Sequence, residues 1–271
     1  MRLPDFYEYA PAMIVGEQDK ASRAKAERRI EEIRHKHQRS MQYNLRRVMR
    51  SEQSMILEAD DNFLEYARVL ELHTPWMTEI YETIYKSTAD EMYPLVQEGA
   101  LLKSYNRRER KDLTQEELYR QYIDDWLKVH GGAKITQINQ TTMQEIRAVL
   151  VDADTAEQVR AALNRYFNQN IADRALRIAW TETSTATNVG SLQCVRAVAS
   201  RESSKIWRTL QDAQVRDSHA MMESQSVDTL KDRFRVPSKF GWDMMECPGD
   251  PAGSAANVVN CRCWTQYQYH D

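Results

Sequence analysis

Four side chains in the last quarter of the chain carry its most reactive chemistry: His219, Cys247, Cys261 and Cys263. One imidazole and three thiols form a soft donor set of the kind zinc takes. Cys261 and Cys263 stand two apart, so on a strand both point to one side and can reach one ion. The same closeness makes them poor disulfide partners for each other. A second reading of the region needs no metal. Glu182, Asp212, Arg216, Asp217, His219 and Asp250 could form a polar network that locks a turn onto a sheet. Such a network is tolerated only if its members pair with one another. Catalysis has less support, because the chain has no Gly-rich phosphate loop, no Gly-x-Ser-x-Gly elbow and no His-Glu-x-x-His. No catalytic residue is assigned, and zinc is the single cofactor the residues suggest.

A third group lies far from these. Lys25, Arg28, Arg29, Lys36, Arg39, Arg46, Arg47 and Arg50 recur on one arc of a helix predicted over 17–58, which has no glycine or proline. Ala26, Ile30, Ile33, His37, Met41, Leu45 and Val48 fall on the opposite arc. One face is built to pack and the other to meet anions, either DNA phosphate or an acidic partner. The following segment, 61–100, predicts helices interrupted at Pro75 and Pro94. Its residues Phe63, Tyr66, Leu70, Trp76, Ile80, Tyr81, Ile84 and Tyr85 supply core. Residues 1–16 read as an extended arm and 105–111 as a basic connector.

Thr114 with Glu117 has the capping-box pattern and starts a helix expected to end at Gly131 and Gly132. That diglycine is the expected domain boundary. Residues 135–138 read as a short turn or strand. Thr142 with Glu145 and Thr155 with Gln158 predict two further short helices, and a longer one follows over 171–199. Within it Glu182 sits among serines and threonines, where pairing with Arg216 is one option. Cys194 reads as a small buried apolar residue. Residues 206–210 alternate as a strand, with Trp207 and Thr209 on one side. Strands near 234–236 and 261–267 would complete one small antiparallel sheet.

The chain has 271 residues and a net charge of −3, enough for two folding units. Charge is unevenly spread: residues 17–50 hold eleven basic and five acidic side chains, residues 58–98 two and ten. Four cysteines do not make a disulfide framework, and no apolar run approaches membrane-spanning length. The expectation is a soluble protein made in a reducing cytoplasm.

Residues 169–266 resemble the Mu F-like minor head (head-morphogenesis) proteins of tailed bacteriophages. The resemblance rests on Trp180-Thr181-Glu182-Thr183 with Asn188 and Gly190, then Lys205-Ile206-Trp207. It continues through Asp212, Arg216-Asp217-Ser218-His219, Pro248-Gly249-Asp250 and Asn260-Cys261-Arg262-Cys263. Many such proteins carry a Cys-x-x-Cys pair where Arg216 and His219 stand here, so a four-sulfur site would lose one ligand and exchange another. The residues themselves predict a long-helix N-terminal region (1–131); the resemblance implies the mixed helix and antiparallel-sheet module (132–271) that makes the whole a predominantly helical α+β protein. The resemblance also implies a structural role inside the capsid near the portal vertex, in head assembly and in DNA packaging or ejection. The partners it implies are portal protein and scaffold or major capsid protein; contact with packaged double-stranded DNA, without sequence preference, is instead the reading of the basic face of helix 17–58. No membrane contact is expected. A free-standing DNA-binding protein and a zinc-dependent hydrolase are the rival readings.

Overall fold

The computed structural model describes residues 20–59, 62–101, 114–199, 203–239 and 241–269. The arm at 1–16 and the connector at 105–111 lie outside them. The fold is predominantly helical α+β. Five helices come first: α1 (Lys20–Glu58), α2 (Phe63–Leu72), α3 (Thr74–Leu101), α4 (Gln115–Val149) and α5 (Ala156–Val198). The rest of the chain is β1 (Ser203–Thr209), α6 (Asp217–Ala220), β2 (Ser226–Val227), β3 (Phe234–Ser238), β4 (Gly241–Met245), α7 (Ala255–Val258) and β5 (Cys263–Tyr269).

All seven residues of the expected packing arc of α1 are buried, including His37. Two capping boxes are realised. The Glu117 carboxylate accepts from the Thr114 backbone N–H at 2.8 Å while the Glu117 N–H donates to the Thr114 hydroxyl at 3.2 Å. At α5 the Gln158 side-chain oxygen accepts from the Thr155 N–H at 3.1 Å, and the Gln158 N–H donates back to the Thr155 hydroxyl at 3.2 Å. Each exchange satisfies two donors that a helix start leaves open.

Helix stops are where sequence and structure part. Gly131 and Gly132 lie inside α4, which also absorbs residues 135–138 and Thr142. A glycine ends a helix by taking a left-handed conformation, and neither of these has a positive φ. Thr142 instead donates to the Ile138 carbonyl at 2.9 Å, as an interior threonine does. The short helix expected at Thr155 and the longer one over 171–199 are a single α5. Pro75 sits in the first turn of α3, where it costs little, but Pro94 is inside that helix.

The chain forms two compact units, and the boundary between them falls within α1, α3, α4 and α5. The first comprises the described residues of Met1–Lys36, Tyr85–Asp124 and Trp180–Asp271. The second comprises those of His37–Ile84 and Asp125–Ala179. The second unit packs Ile56, Tyr66, Leu70, Ile146, Leu163 and Phe167 into one core. In the first unit β1 is central, with β2 on one side and β5 on the other, all antiparallel. β1 and β5 pair from Ser203 opposite Tyr269 to Thr209 opposite Cys263. The strand at Phe234 does not join this sheet; β3 pairs with β4 in a separate hairpin. Trp207 and Thr209 are buried on one side of β1, as alternation requires.

Gly190 of α5 has a packing role in the first unit. An added Cβ would stand 3.4 Å from the Cα of Ala89 on α3 and 3.3 Å from the Tyr119 hydroxyl. That hydroxyl donates to the Ala89 carbonyl at 2.8 Å, so three helices converge where α5 has no side chain.

Candidate functional site

The first unit brings His219, Cys261 and Cys263 together, each at most 1% exposed. Three separate anchors deliver them. α6 carries His219, and Arg216 at its start donates to the Val259 carbonyl. Cys261 follows Asn260, which has φ 54° and whose N–H donates to the Thr181 hydroxyl of α5 at 3.0 Å. Cys263 opens β5, and its carbonyl accepts from Arg34 Nη2 at 2.8 Å and from Asn188 Nδ2 at 3.0 Å. The result places His219 Nδ1 3.3 Å from Cys263 Sγ and 3.7 Å from Cys261 Sγ. Trp207 covers the imidazole edge-on at 5.4 Å, and Phe234 in turn meets Trp207 at 5.3 Å.

The two thiols are driven apart in acidity. The hydrogen bond from Cys263 and then the imidazole of His219 hold Cys261 well below the usual thiol range. Burial, followed by the neighbouring Cys261 sulfur, pushes Cys263 well above it. Cys261 is thus the more acidic thiol of the pair, with Cys263 as its hydrogen-bond donor.

The three ligand atoms lie within 4.8 Å of one another. Tetrahedral zinc with ordinary bond lengths separates sulfur and nitrogen ligands by about 3.6 Å, so type and spacing suit one soft cation. Two features depart from a complete structural zinc site. Cys247 is not in the group, and among the described residues no fourth histidine, cysteine or carboxylate joins it. His219 Nε2 is buried without a hydrogen-bond partner, where a metal-bound histidine ordinarily has an acceptor. Cys247 belongs to another buried place, beside Lys205. The Lys205 ammonium donates to the carbonyls of Asp232 at 2.6 Å and Glu246 at 2.7 Å and faces the Phe234 ring. Burial brings its pKa down to about 8.

The six residues expected to share a polar network act separately. Glu182 accepts from the Tyr85 hydroxyl at 2.7 Å and is not the partner of Arg216, whose bond is to Val259. Asp212 pairs with Arg262, whose Nε donates at 2.6 Å. Asp217 lies in the first turn of α6. Asp250 shapes its own turn by accepting from the N–H groups of Glu246 and Ala252 at 2.6 and 2.9 Å. His219 faces the two sulfurs. Main-chain groups, more than opposite charges, are what these side chains bind.

Along α1, Arg28, Arg29, Lys36, Arg39, Arg47 and Arg50 are exposed, whereas Lys25 and Arg46 are half-buried. Arg29 pairs with Glu32 at 3.0 Å and Lys36 with Glu91 at 2.6 Å. Arg47 lies over the rings of Tyr43 and Trp76.

The residue that the sequence reading missed is Arg34. It is fully buried and ties α1 to Cys263, to Thr187 of α5 at 3.0 Å and to Glu31 at 3.2 Å. Its signal was visible, since it stands one turn from Ile30 on the edge of the apolar arc. A charge there needs a built polar partner.

No family model matches the chain, and no curated protein or solved structure matches it significantly. Among the described residues no helix is long and apolar enough to cross a membrane.

Proposed function

We propose that this chain is a structural minor head protein of a tailed phage, acting at the portal vertex during head assembly. The observation that supports this most is how the backbone of the motif residues Gly249, Asn260 and Cys263 is held. Asn188 and Arg34 hold the Cys263 carbonyl, Thr185 holds the Gly249 carbonyl at 3.1 Å, and Thr181 holds the Asn260 N–H. They join backbone to backbone inside a buried knot. A catalytic group must instead reach its substrate, and His219, Cys261 and Cys263 are enclosed. The knot fixes the shape of a surface that portal, scaffold or major capsid protein would recognise, while the exposed cations of α1 meet packaged DNA. Phosphate contacts of that kind carry no sequence preference and weaken steeply with salt.

Co-sedimentation with purified portal protein tests the assembly role. Association is expected, and a chain that stays in the supernatant while binding DNA is a free-standing DNA-binding protein. Reversal of Arg28, Arg29, Arg39, Arg46 and Arg47 to glutamate is expected to abolish DNA binding and spare portal association. If DNA binding survives the reversal, α1 is not the contact.

A further inference from the structure

Part of α1 in the second unit has a feature that phosphate binding alone does not use. Between residues 33 and 51 the helix has no acidic side chain. Its outward face there carries Arg39, Tyr43, Arg47 and Arg50, each exposed. Tyr43 is 64% exposed, so it does little packing. Arginines stand one turn before it and one turn after it, about 6 Å along the axis each way. The Arg47 guanidinium lies 5.9 Å from the Tyr43 ring centre and 5.4 Å from that of Trp76 on α3. Arg46 adds a half-buried cation whose Nε has no hydrogen-bond partner.

We infer that this face is a stacking platform for single-stranded nucleic acid. The inference rests on the reading that the basic face of α1 meets nucleic acid, and it adds a single-stranded ligand to the packaged duplex. A duplex keeps its base faces against each other, so it could use the arginines but not the ring. A single strand can lay a base on Tyr43 while its phosphates take the flanking guanidiniums, the pairing of aromatic ring and cation that suits unpaired strands. Arg47 holds the ring's neighbourhood in place by bridging to Trp76, so the platform is ordered before a base arrives. Every base has a π face, so no sequence preference follows.

The test is fluorescence anisotropy of the full chain with labelled oligo(dT), oligo(rU) and a duplex, each about 12 nucleotides long. Tighter binding of a single strand than of the duplex is expected, with a slope of log K on log salt of about −3 from four arginines. Tyr43→Ala is expected to weaken single-strand binding about tenfold and leave duplex binding unchanged. Tyr43→Phe, which keeps the ring, is expected to restore it. Binding of either single strand with this dependence supports the platform, and the tighter of the two identifies DNA or RNA as its source. Equal binding of duplex and single strand, indifferent to Tyr43→Ala, overturns the platform but leaves the basic face as a phosphate contact. Binding to none of the three overturns both.

Discussion

Glu52 gives the sharpest energetic handle on the second unit. It is 6% exposed on α1 and has no hydrogen-bond or ion-pair partner among the described residues. The nearest opposite charge, Arg174, is committed elsewhere: it pairs with Glu145 and donates to the Ile138 carbonyl at 2.9 Å and the Thr142 hydroxyl at 2.7 Å. Burial therefore outweighs Arg174 and raises the Glu52 pKa from 4.5 to about 7. Between those values the folded chain keeps a proton that the unfolded chain releases. Stability must then fall as pH rises from about 4.5 to about 7, and the whole difference is roughly 3 kcal/mol. Glu52→Gln removes the ionisation while keeping the shape. The variant is expected to match the natural chain near pH 4.5 and to exceed it by roughly 3 kcal/mol at pH 8. Urea unfolding followed by circular dichroism across that range reads the difference. An advantage of the glutamine variant that is the same at both ends, or a loss at pH 8, would refute the reasoning.

Three other outcomes follow from the first unit. Gly249 has φ +79°, and an added Cβ would stand 2.8 Å from the Thr185 hydroxyl, so Gly249→Ala should cost about 2–4 kcal/mol in thermal melts. Arg34→Ala removes a buried guanidinium from the Cys263 carbonyl, which keeps Asn188, and from Glu31, which keeps Arg262 at 3.8 Å, and should cost about 2–3 kcal/mol; Arg34→Lys, lacking the fork, should recover only part. Zinc offered to the reduced protein should bind through His219, Cys261 and Cys263. Elemental analysis should then show metal lost in His219→Ala and Cys261→Ser but kept in Cys247→Ser; equal retention in all three would remove the site.

What could be read from the chain beforehand was whatever depends on short spacing. The buried arc of α1, both realised capping boxes and the alternation around Trp207 involve residues within one or two turns. The failures all needed distant partners. Gly131 and Gly132 look like a stop, but a glycine stops a helix only when the next contact requires a reversed backbone. Phe234 has the character of a strand wherever it pairs, so nothing local could say that β3 joins β4 and not β1. Phe63 and Trp76 read as core aromatics, yet Phe63 is exposed and Trp76 is half-buried beneath Arg47. Asp212, Arg216, His219 and Asp250 look alike as polar candidates but find separate partners: the Arg262 side chain, the Val259 carbonyl, two sulfurs and the N–H groups of Glu246 and Ala252. Arg34 shows the reverse: a charge on an apolar arc announced its burial, and only the fold could name Cys263 as its destination.

The two capping boxes differ in one atom type, and that difference separates α4 from α5 in acid. The Glu117 carboxylate sits below its ordinary pKa because the Thr114 backbone and hydroxyl donate to it. Its support is present above the free glutamate range and disappears as pH falls through the lowered value. Gln158 makes the matching bonds with an amide that does not titrate. Acidification therefore unfastens the leading turn of one helix while its counterpart stays latched, and the sequence of fraying is set by a carboxylate standing where the other helix has a carboxamide.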